Sequence, residues 1–342
     1  MASPLDIQHG QSLRDLNTFG IDASAAAYLR IGGVDDLRAV RADPSLSGLP
    51  RLVLGGGSNL LLTRDVDGLV LHMVNRGIAV TGEDDARVIV TAQAGENWHR
   101  FVQWTLAHGL YGLENLSLIP GSVGAAPIQN IGAYGAELAD YVQSVNTFDF
   151  LTGDVIELSR DDCAFAYRDS VFKHALCDRA VILDVSFGLP KRWQPNLRYA
   201  ELAAKIADRG LAQPTATEIS EAVIDIRRRK LPDPAVIGNA GSFFKNPVVT
   251  AAKRDALVAQ YPQLVSYPQA DGTYKLAAGW LIDQCGWKGK SLGAAGVHEN
   301  QALVLVNRGG ASGVEILRLA TAIRDDVSAK YGVLLEPEPV VV

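Results

Sequence analysis

Cysteine is scarce: Cys163, Cys177 and Cys285 are the three in 342 residues. They form no CxxC pair and their number is odd, which argues against a disulfide scaffold and a structural zinc site and fits a reducing compartment. The six histidines (His9, His72, His99, His108, His174 and His298) show no metal-ligand spacing, so no metal is expected. Positive charge is also short. The formal net charge is -6 and the basic run Arg227-Arg228-Arg229-Lys230 is brief, so no nucleic-acid partner is expected. No apolar run approaches the ~20 residues of a membrane helix. The polar start, Met1 to Gly10, lacks a signal-peptide core. These absences point to a cytoplasmic protein with no membrane association.

What remains is ordinary globular material, 48% hydrophobic and 20% charged, long enough for two or three domains. The 33 glycines exceed average usage, so many backbone positions need special geometry. Arg51 to Leu54 reads as a strand entering a Gly55-Gly56-Gly57-Ser58-Asn59 turn; Leu69–Val74, Ala86–Gln93, Ser144–Leu151 and Ala180–Leu189 read as further strands. Trp98, Phe101, Val102 and Thr105 have helical spacing, ended by Gly109. A break falls near Gln213-Pro214. Thr215 with Glu218, and Ser312 with Glu315, make capping boxes. The first helix carries Ile219, Val223 and Ile226 inward; the second carries Ile316, Leu319, Ile323 and Val327 and stops at Gly332. The irregular alternation predicts α+β domains rather than a doubly wound sheet.

Two glycine-rich loops stand out. Gly55 to Asn59 follows a strand, as a phosphate-binding turn should. It lacks the third glycine of GxGxxG and runs into Leu60-Leu61-Leu62, which reads as strand, so a Rossmann site is disfavoured. Its consecutive N–H groups still suit an anion nest. The charge-free stretch Pro120 to Gly135 keeps Ser122, Gln129, Asn130 and Tyr134 among small residues. Such a composition admits a large flat ligand as readily as it packs a core. Two loops of this kind suit a dinucleotide.

A third segment, Gly238-Asn239-Ala240-Gly241-Ser242-Phe243-Phe244-Lys245-Asn246-Pro247, sets a hydroxyl beside aromatics, a lysine and an amide. Ser242 there has three uses: donating a proton, attacking a carbonyl, or capping a turn. The turn is the commonest of these. No base accompanies Ser242 in any motif, which leaves nucleophilic attack without support.

These loops, together with Asn17-Thr18-Phe19-Gly20, Tyr167-Arg168-Asp169-Ser170-Val171-Phe172-Lys173, His298-Glu299-Asn300-Gln301-Ala302 and Leu335-Glu336-Pro337-Glu338, resemble the UDP-N-acetylenolpyruvoylglucosamine reductases, flavoenzymes of bacterial cell-wall precursor synthesis. Leu189 to Tyr199 resembles the substrate loop of the family's longer type. The resemblance implies a vanillyl-alcohol-oxidase-like (PCMH-type) FAD-binding fold in two subdomains plus a C-terminal α+β substrate domain. The expected divisions are 1–75, with 333–342 as a candidate addition, then 76–213 with the substrate loop at 189–200, then 214–332. It implies noncovalent FAD, NADPH as reductant and an enolpyruvyl UDP-sugar substrate; a monomer is expected.

The same resemblance assigns residues. Gly55, Gly56, Gly57, Ser58, Asn59, Gly121, Ser122, Gly124, Asn130, Ile131 and Gly132 would hold the cofactor. Arg168 would be a fixed cation for the substrate carboxylate, which a guanidinium binds bidentately; the bland alternative is a surface pair with Asp169. Ser242 would donate the proton. Glu338 would be a second acid, with Glu336 as a rival. Tyr199, Lys230, Asn246 and Gln301 would contact the sugar nucleotide. One departure bears on Glu338: the family continues with valine, arginine and a further strand, whereas here Pro339 follows. Two other readings share parts of this pattern: another FAD oxidoreductase of the same fold, and a catalytically silent sugar-nucleotide-binding protein.

Overall fold

The computed structural model describes residues 5–342; Met1 to Pro4, the outermost part of the polar start, lie outside the described residues. The chain forms two compact units, one of residues 1–11, 25–57 and 66–228 and the other of 12–24, 58–65 and 229–342.

The first unit holds two sheets. In one, strands Gln8–Ser12, Ser24–Ile31, Val66–Met73 and Arg51–Leu54 lie in that order. The last three run parallel, with Leu69 flanked by Ala27 and Arg51. Val66–Met73 is central and its Leu69, Val70 and Leu71 are all buried. A parallel strand covered on both faces reads as a continuous apolar run, which is why it was visible in the sequence. Helix α1 (Val34–Ala42) buries Leu37 and Val40 against the same core.

The other sheet is antiparallel, in the order Val155–Ser159, Val142–Asp149, Ala180–Pro190, Arg87–Gln93, Ile78–Glu83. Ala180–Pro190 is its middle strand, and Phe187 lies opposite Val142 and Val90. Helix α2 (Trp98–Ala107) sets Phe101 4.9 Å and Trp98 5.9 Å from the Phe187 ring. Asn97 caps α2 by accepting from the Arg100 N–H at 3.0 Å, and Gly109 leaves it at φ 71°.

Helix α3 (Ala200–Asp208) and α4 (Ala216–Lys230) up to Arg228 complete this unit. Leu202 and Ile206 of α3 pack on Ile219, Ala222, Val223 and Ile226 of α4, with Trp193, Leu197 and Tyr134 joining them. Residues 214–228 cluster with this glycine-loop unit, their apolar face covered by α3. Both of these sheets lie within this one unit.

The second unit is built on an antiparallel sheet, Gly238–Ser242, Val304–Asn307, Ala295–Val297 and Ser291–Leu292. A smaller sheet of Val248–Val249, Tyr274–Leu276 and Ser266–Pro268 accompanies α5 (Ala251–Gln260) and α6 (Ala278–Gln284). Helix α7 (Gly313–Tyr331) buries Ile316, Leu319, Ile323 and Val327. Its capping box forms as the sequence predicts: Ser312 Oγ accepts from the Glu315 N–H at 3.3 Å and Glu315 Oε2 accepts from the Ser312 N–H at 2.9 Å. Gly332 ends it at φ 59°. The C-terminal segment joins this unit, with Val340–Val341 running parallel to Leu60–Leu61.

Candidate active site

The two glycine loops meet in the first unit. A Cβ on Gly56 would lie 2.8 Å from the Gly121 Cα, and one on Gly55 would overlap Ser122 Oγ. Gly124 is pinned against Ala94, donating its N–H to the Ala94 carbonyl at 2.9 Å. Only glycine permits this approach of backbone to backbone. Ser122 Oγ is buried with no hydrogen-bond partner, a state that ordinarily marks a group reserved for a ligand or water. Closely apposed glycines and an orphaned hydroxyl fit a dinucleotide cofactor. The boundary between units passes between Gly57 and Ser58, so Ser58 and Asn59 belong to the second unit.

Asn130 has a different occupation from the one expected. Its Nδ2 donates to Glu137 Oε2 and the Ala166 carbonyl, both at 3.0 Å, and its Oδ1 accepts from the Ala139 N–H at 3.0 Å. The side chain is 1% exposed and sits at φ 43°, so it shapes the loop that presents Ile131 and Gly132. That loop is tied to the Tyr167–Lys173 segment at two further points. Ser170 Oγ donates to the Ile128 carbonyl at 2.7 Å, and Arg168 Nη2 donates to the Gly132 carbonyl at 3.0 Å. Arg168 is half-buried at φ 56°, in the left-handed region that non-glycine residues seldom occupy. The Asp169 carboxylate is hydrogen-bonded to His174 Nε2 at 2.8 Å, which weighs against reading Arg168–Asp169 as a simple surface pair.

Leu118 is left-handed too, at φ 59° just before the second glycine-rich loop. Its N–H donates to His99 Nδ1 at 3.0 Å and its carbonyl accepts from Arg227 Nε at 3.2 Å. Burial, then Arg228 and Arg227, lowers the His99 pKa, so the imidazole stays a neutral acceptor. Arg227 also hydrogen-bonds Tyr134, whose hydroxyl burial pushes up to about 12. The Tyr134 ring stands edge-on to Tyr199 at 5.1 Å. Tyr199 itself is 41% exposed at the N-terminus of α3. Sequence reading missed His99 and Arg227. His99 has no spacing signal, and Arg227 was lost in a basic run whose members α4 points in different directions.

In the second unit, Asn239 builds the serine turn. Its Oδ1 accepts from the Gly241 N–H at 2.9 Å and its Nδ2 donates to the Ile237 carbonyl at 2.9 Å. Gly241 follows at φ 70°, bulging the strand before Ser242 rejoins opposite Val304. Phe243 and Phe244 are buried core residues, while Ser242 is half-buried. Among the described residues the Ser242 side chain has no hydrogen-bond partner.

The C-terminal segment is fastened directly beside that serine. Phe244 bridges Pro337, the Glu338 N–H donates to the Phe243 carbonyl at 2.8 Å, and the Lys245 N–H donates to the Glu336 carbonyl at 2.9 Å. This separates the rival glutamates: Glu336 is exposed and paired with Lys245 at 3.2 Å, whereas Glu338 is half-buried. Pro339 does not abolish the further strand, which forms at Val340–Val341. Asn59 Nδ2 donates to the Glu338 carbonyl at 3.2 Å and brackets it from the other side.

The amides of Asn246 and Gln301 are half committed. Asn246 Oδ1 accepts from the N–H of Ala278, the first residue of α6, at 2.9 Å, and Gln301 Oε1 accepts from the Leu303 N–H at 3.3 Å. Both therefore present their NH2 groups as donors. Lys230, half-buried, ends α4. Among the described residues no cluster of three potential metal ligands occurs.

Comparison with known proteins agrees with this arrangement. A family profile described as an FAD binding domain matches residues 25–159, and one described as the UDP-N-acetylenolpyruvoylglucosamine reductase C-terminal domain matches 233–342. The chain is 58% identical over 330 residues to the UDP-N-acetylenolpyruvoylglucosamine reductase of Paraburkholderia phymatum, covering 96% of this chain and 95% of that one. It is 57% identical over 346 residues to that of Azoarcus sp., covering 100% and 99%. A crystal structure of the reductase from Thermus caldophilus shares the fold, with a TM-score of 0.69 at 23% identity and coverage of 99% and 98%. With both family profiles matched and these relatives more than half identical over nearly their whole length, the chain belongs to the UDP-N-acetylenolpyruvoylglucosamine reductase family.

Proposed function

We propose that the protein reduces the enolpyruvyl group of UDP-N-acetyl-3-O-(1-carboxyvinyl)-glucosamine to UDP-N-acetylmuramate, an NADPH-dependent step of peptidoglycan precursor synthesis. The observation that carries this reading is the bond from Arg168 to the Gly132 carbonyl, which couples a carboxylate-binding cation to the flavin loop. Another FAD oxidoreductase of the same fold has no need of that cation.

FAD, when bound, supplies hydride storage and delivery. Gly55, Gly56, Gly57, Ser58 and Asn59 and the Gly121, Ser122, Gly124, Asn130, Ile131 and Gly132 segment hold it; Asn130 acts by shaping the loop. Hydride addition to the terminal vinyl carbon leaves negative charge on the adjacent carbon and its carboxylate. Arg168 stabilises that charge, because a guanidinium stays ionised in any setting. Ser242 delivers the proton to the carbon, in a site from which Phe243 and Phe244 help exclude water. Glu338 is the second acid, supporting the enolate-like charge. Tyr199 and Lys230 serve the diphosphate, and the NH2 groups of Asn246 and Gln301 serve uracil or phosphate oxygens. No described helix is long and apolar enough to cross a membrane; we place the enzyme in the cytoplasm, as a monomer.

A two-stage stopped-flow assay tests the reading. NADPH should bleach the yellow protein, and the enolpyruvyl UDP-sugar should restore the colour. Bleaching without recovery would overturn the proposal. Ser242→Ala should bleach at the wild-type rate but recolour at least ~100-fold more slowly, the usual weight of a proton donor. Equal loss in both stages would make Ser242 structural.

A further inference from the structure

One buried carboxylate takes no part in the chemistry above. Glu114 is 1% exposed, in a short turn between α2 and the second flavin loop. Both its oxygens are engaged: Oε1 accepts from Trp193 Nε1 at 2.6 Å and Oε2 from the Gly112 N–H at 2.7 Å. Trp193 lies in the segment that carries Tyr199. A buried ion is costly unless it is fully hydrogen-bonded, so a carboxylate kept here needs a reason beyond packing. Burial pushes the Glu114 carboxyl up, and the Trp193 and Gly112 N–H groups oppose that shift.

The neighbouring Asn115, also 1% exposed, extends the same device. Its Nδ2 donates to the Tyr134 carbonyl at 2.8 Å and to the Asn196 carbonyl at 2.9 Å. Asn196 Nδ2 and Arg198 Nη2 then donate to the Gly135 carbonyl at 2.9 and 3.1 Å. A Cβ on Gly135 would lie 3.4 Å from the Tyr199 nitrogen. One turn thus grips the Tyr199 segment at Trp193 and Asn196, and grips the end of the flavin loop at Tyr134.

We propose that Glu114 is a positioning residue for the UDP-sugar: through Trp193 it presets the Tyr199 segment against the Tyr134–Gly135 end of the flavin loop. This rests on the reductase reading above. A preset segment costs less to order when the sugar nucleotide binds, so the clamp acts on affinity rather than on the chemical step.

Glu114→Gln keeps size but turns one acceptor oxygen into an NH2, stranding Trp193 or Gly112. In single-turnover recolouring of NADPH-reduced enzyme, this variant should need about tenfold more UDP-sugar for half-maximal rate, equivalent to ~1.4 kcal/mol. Its limiting rate should stay within about twofold of wild type. Trp193→Phe should raise the requirement equally, and the double variant should add nothing further, since the two act through one bond. Amide hydrogen exchange over 191–199 should quicken in both single variants. Unchanged exchange with unchanged half-saturation would overturn the clamp. So would a parallel loss of limiting rate and flavin content, which marks a general structural defect. If wild-type enzyme fails to recolour, the reductase reading falls, while hydrogen exchange still decides the clamp.

Discussion

At the scale of single residues, neighbouring glycines differ in what they permit. Gly55 faces a side chain, the Ser122 hydroxyl, which can rotate away. Gly56 faces the Gly121 backbone at 2.8 Å, which cannot. Gly56→Ala should therefore weaken flavin binding by 1–3 kcal/mol, about 5- to 150-fold, as overpacking generally does. Gly55→Ala should cost visibly less. Flavin fluorescence titration of the apoprotein measures both, and equal losses would refute the distinction. Asn130 illustrates the limit of motif reading at this scale. The sequence singles it out within the loop, and in the structure its amide serves Glu137, Ala166 and Ala139. A polar residue in a glycine-rich stretch looks the same in sequence whether it faces a ligand or holds the loop.

At the scale of elements, the turn around Leu118 carries a pH dependence. His99 accepts the Leu118 N–H while Arg227 donates to the Leu118 carbonyl, so both ends of a left-handed residue are clamped. The His99 pKa is lowered from 6.5 by burial, then by Arg228 and Arg227. His72 is lowered likewise by burial, then Arg30 and Arg76. A histidine depressed in the folded state binds fewer protons than its unfolded counterpart. Its contribution is present above 6.5 and is lost as pH falls through the folded value. Glu114 is shifted the other way, so it works against this trend on the acid side. The urea midpoint should decline between about pH 7 and pH 5, and His99→Phe should flatten part of that decline. An unchanged slope in the variant would remove His99 from the account.

Elements with local signals were legible for local reasons. The four helically spaced positions read for α2 are the four it buries, and both capping boxes form, Thr215 with Glu218 and Ser312 with Glu315. Helices α1, α3, α5 and α6 were not read. The N-cap residues of α1, α3 and α6 supply no side-chain cap hydrogen bond, and α5 buries only Leu257. Their helicity depends on what they pack against.

At the scale of the whole molecule, chain ends matter because they are stitched across long sequence distance. The Val340 N–H donates to the Asn59 carbonyl at 3.0 Å, and the Val342 carbonyl accepts from the Thr63 N–H at 2.7 Å. The same short pairing braces Glu338 and a residue of the first flavin loop. Removing Pro339 to Val342 should therefore slow recolouring and weaken flavin retention together, each by about tenfold or more. Stopped flow and dialysis against flavin-free buffer read the two effects. Loss of neither would show that the tail is not a brace.

The chain's amino-acid order alone determined the α+β class, the helices with strong caps and the family that its glycine-rich loops and the segments around Arg168, Ser242 and Glu338 resemble. Those signals act within a few residues, or recur as ordered motifs. Only the tertiary structure decided that 214–228 packs with the flavin-loop unit, that Glu338 rather than Glu336 is the sheltered acid, and that Glu114 holds Trp193 79 positions away in the chain. Each of these depends on which surfaces the fold covers, and no short-range pattern encodes that.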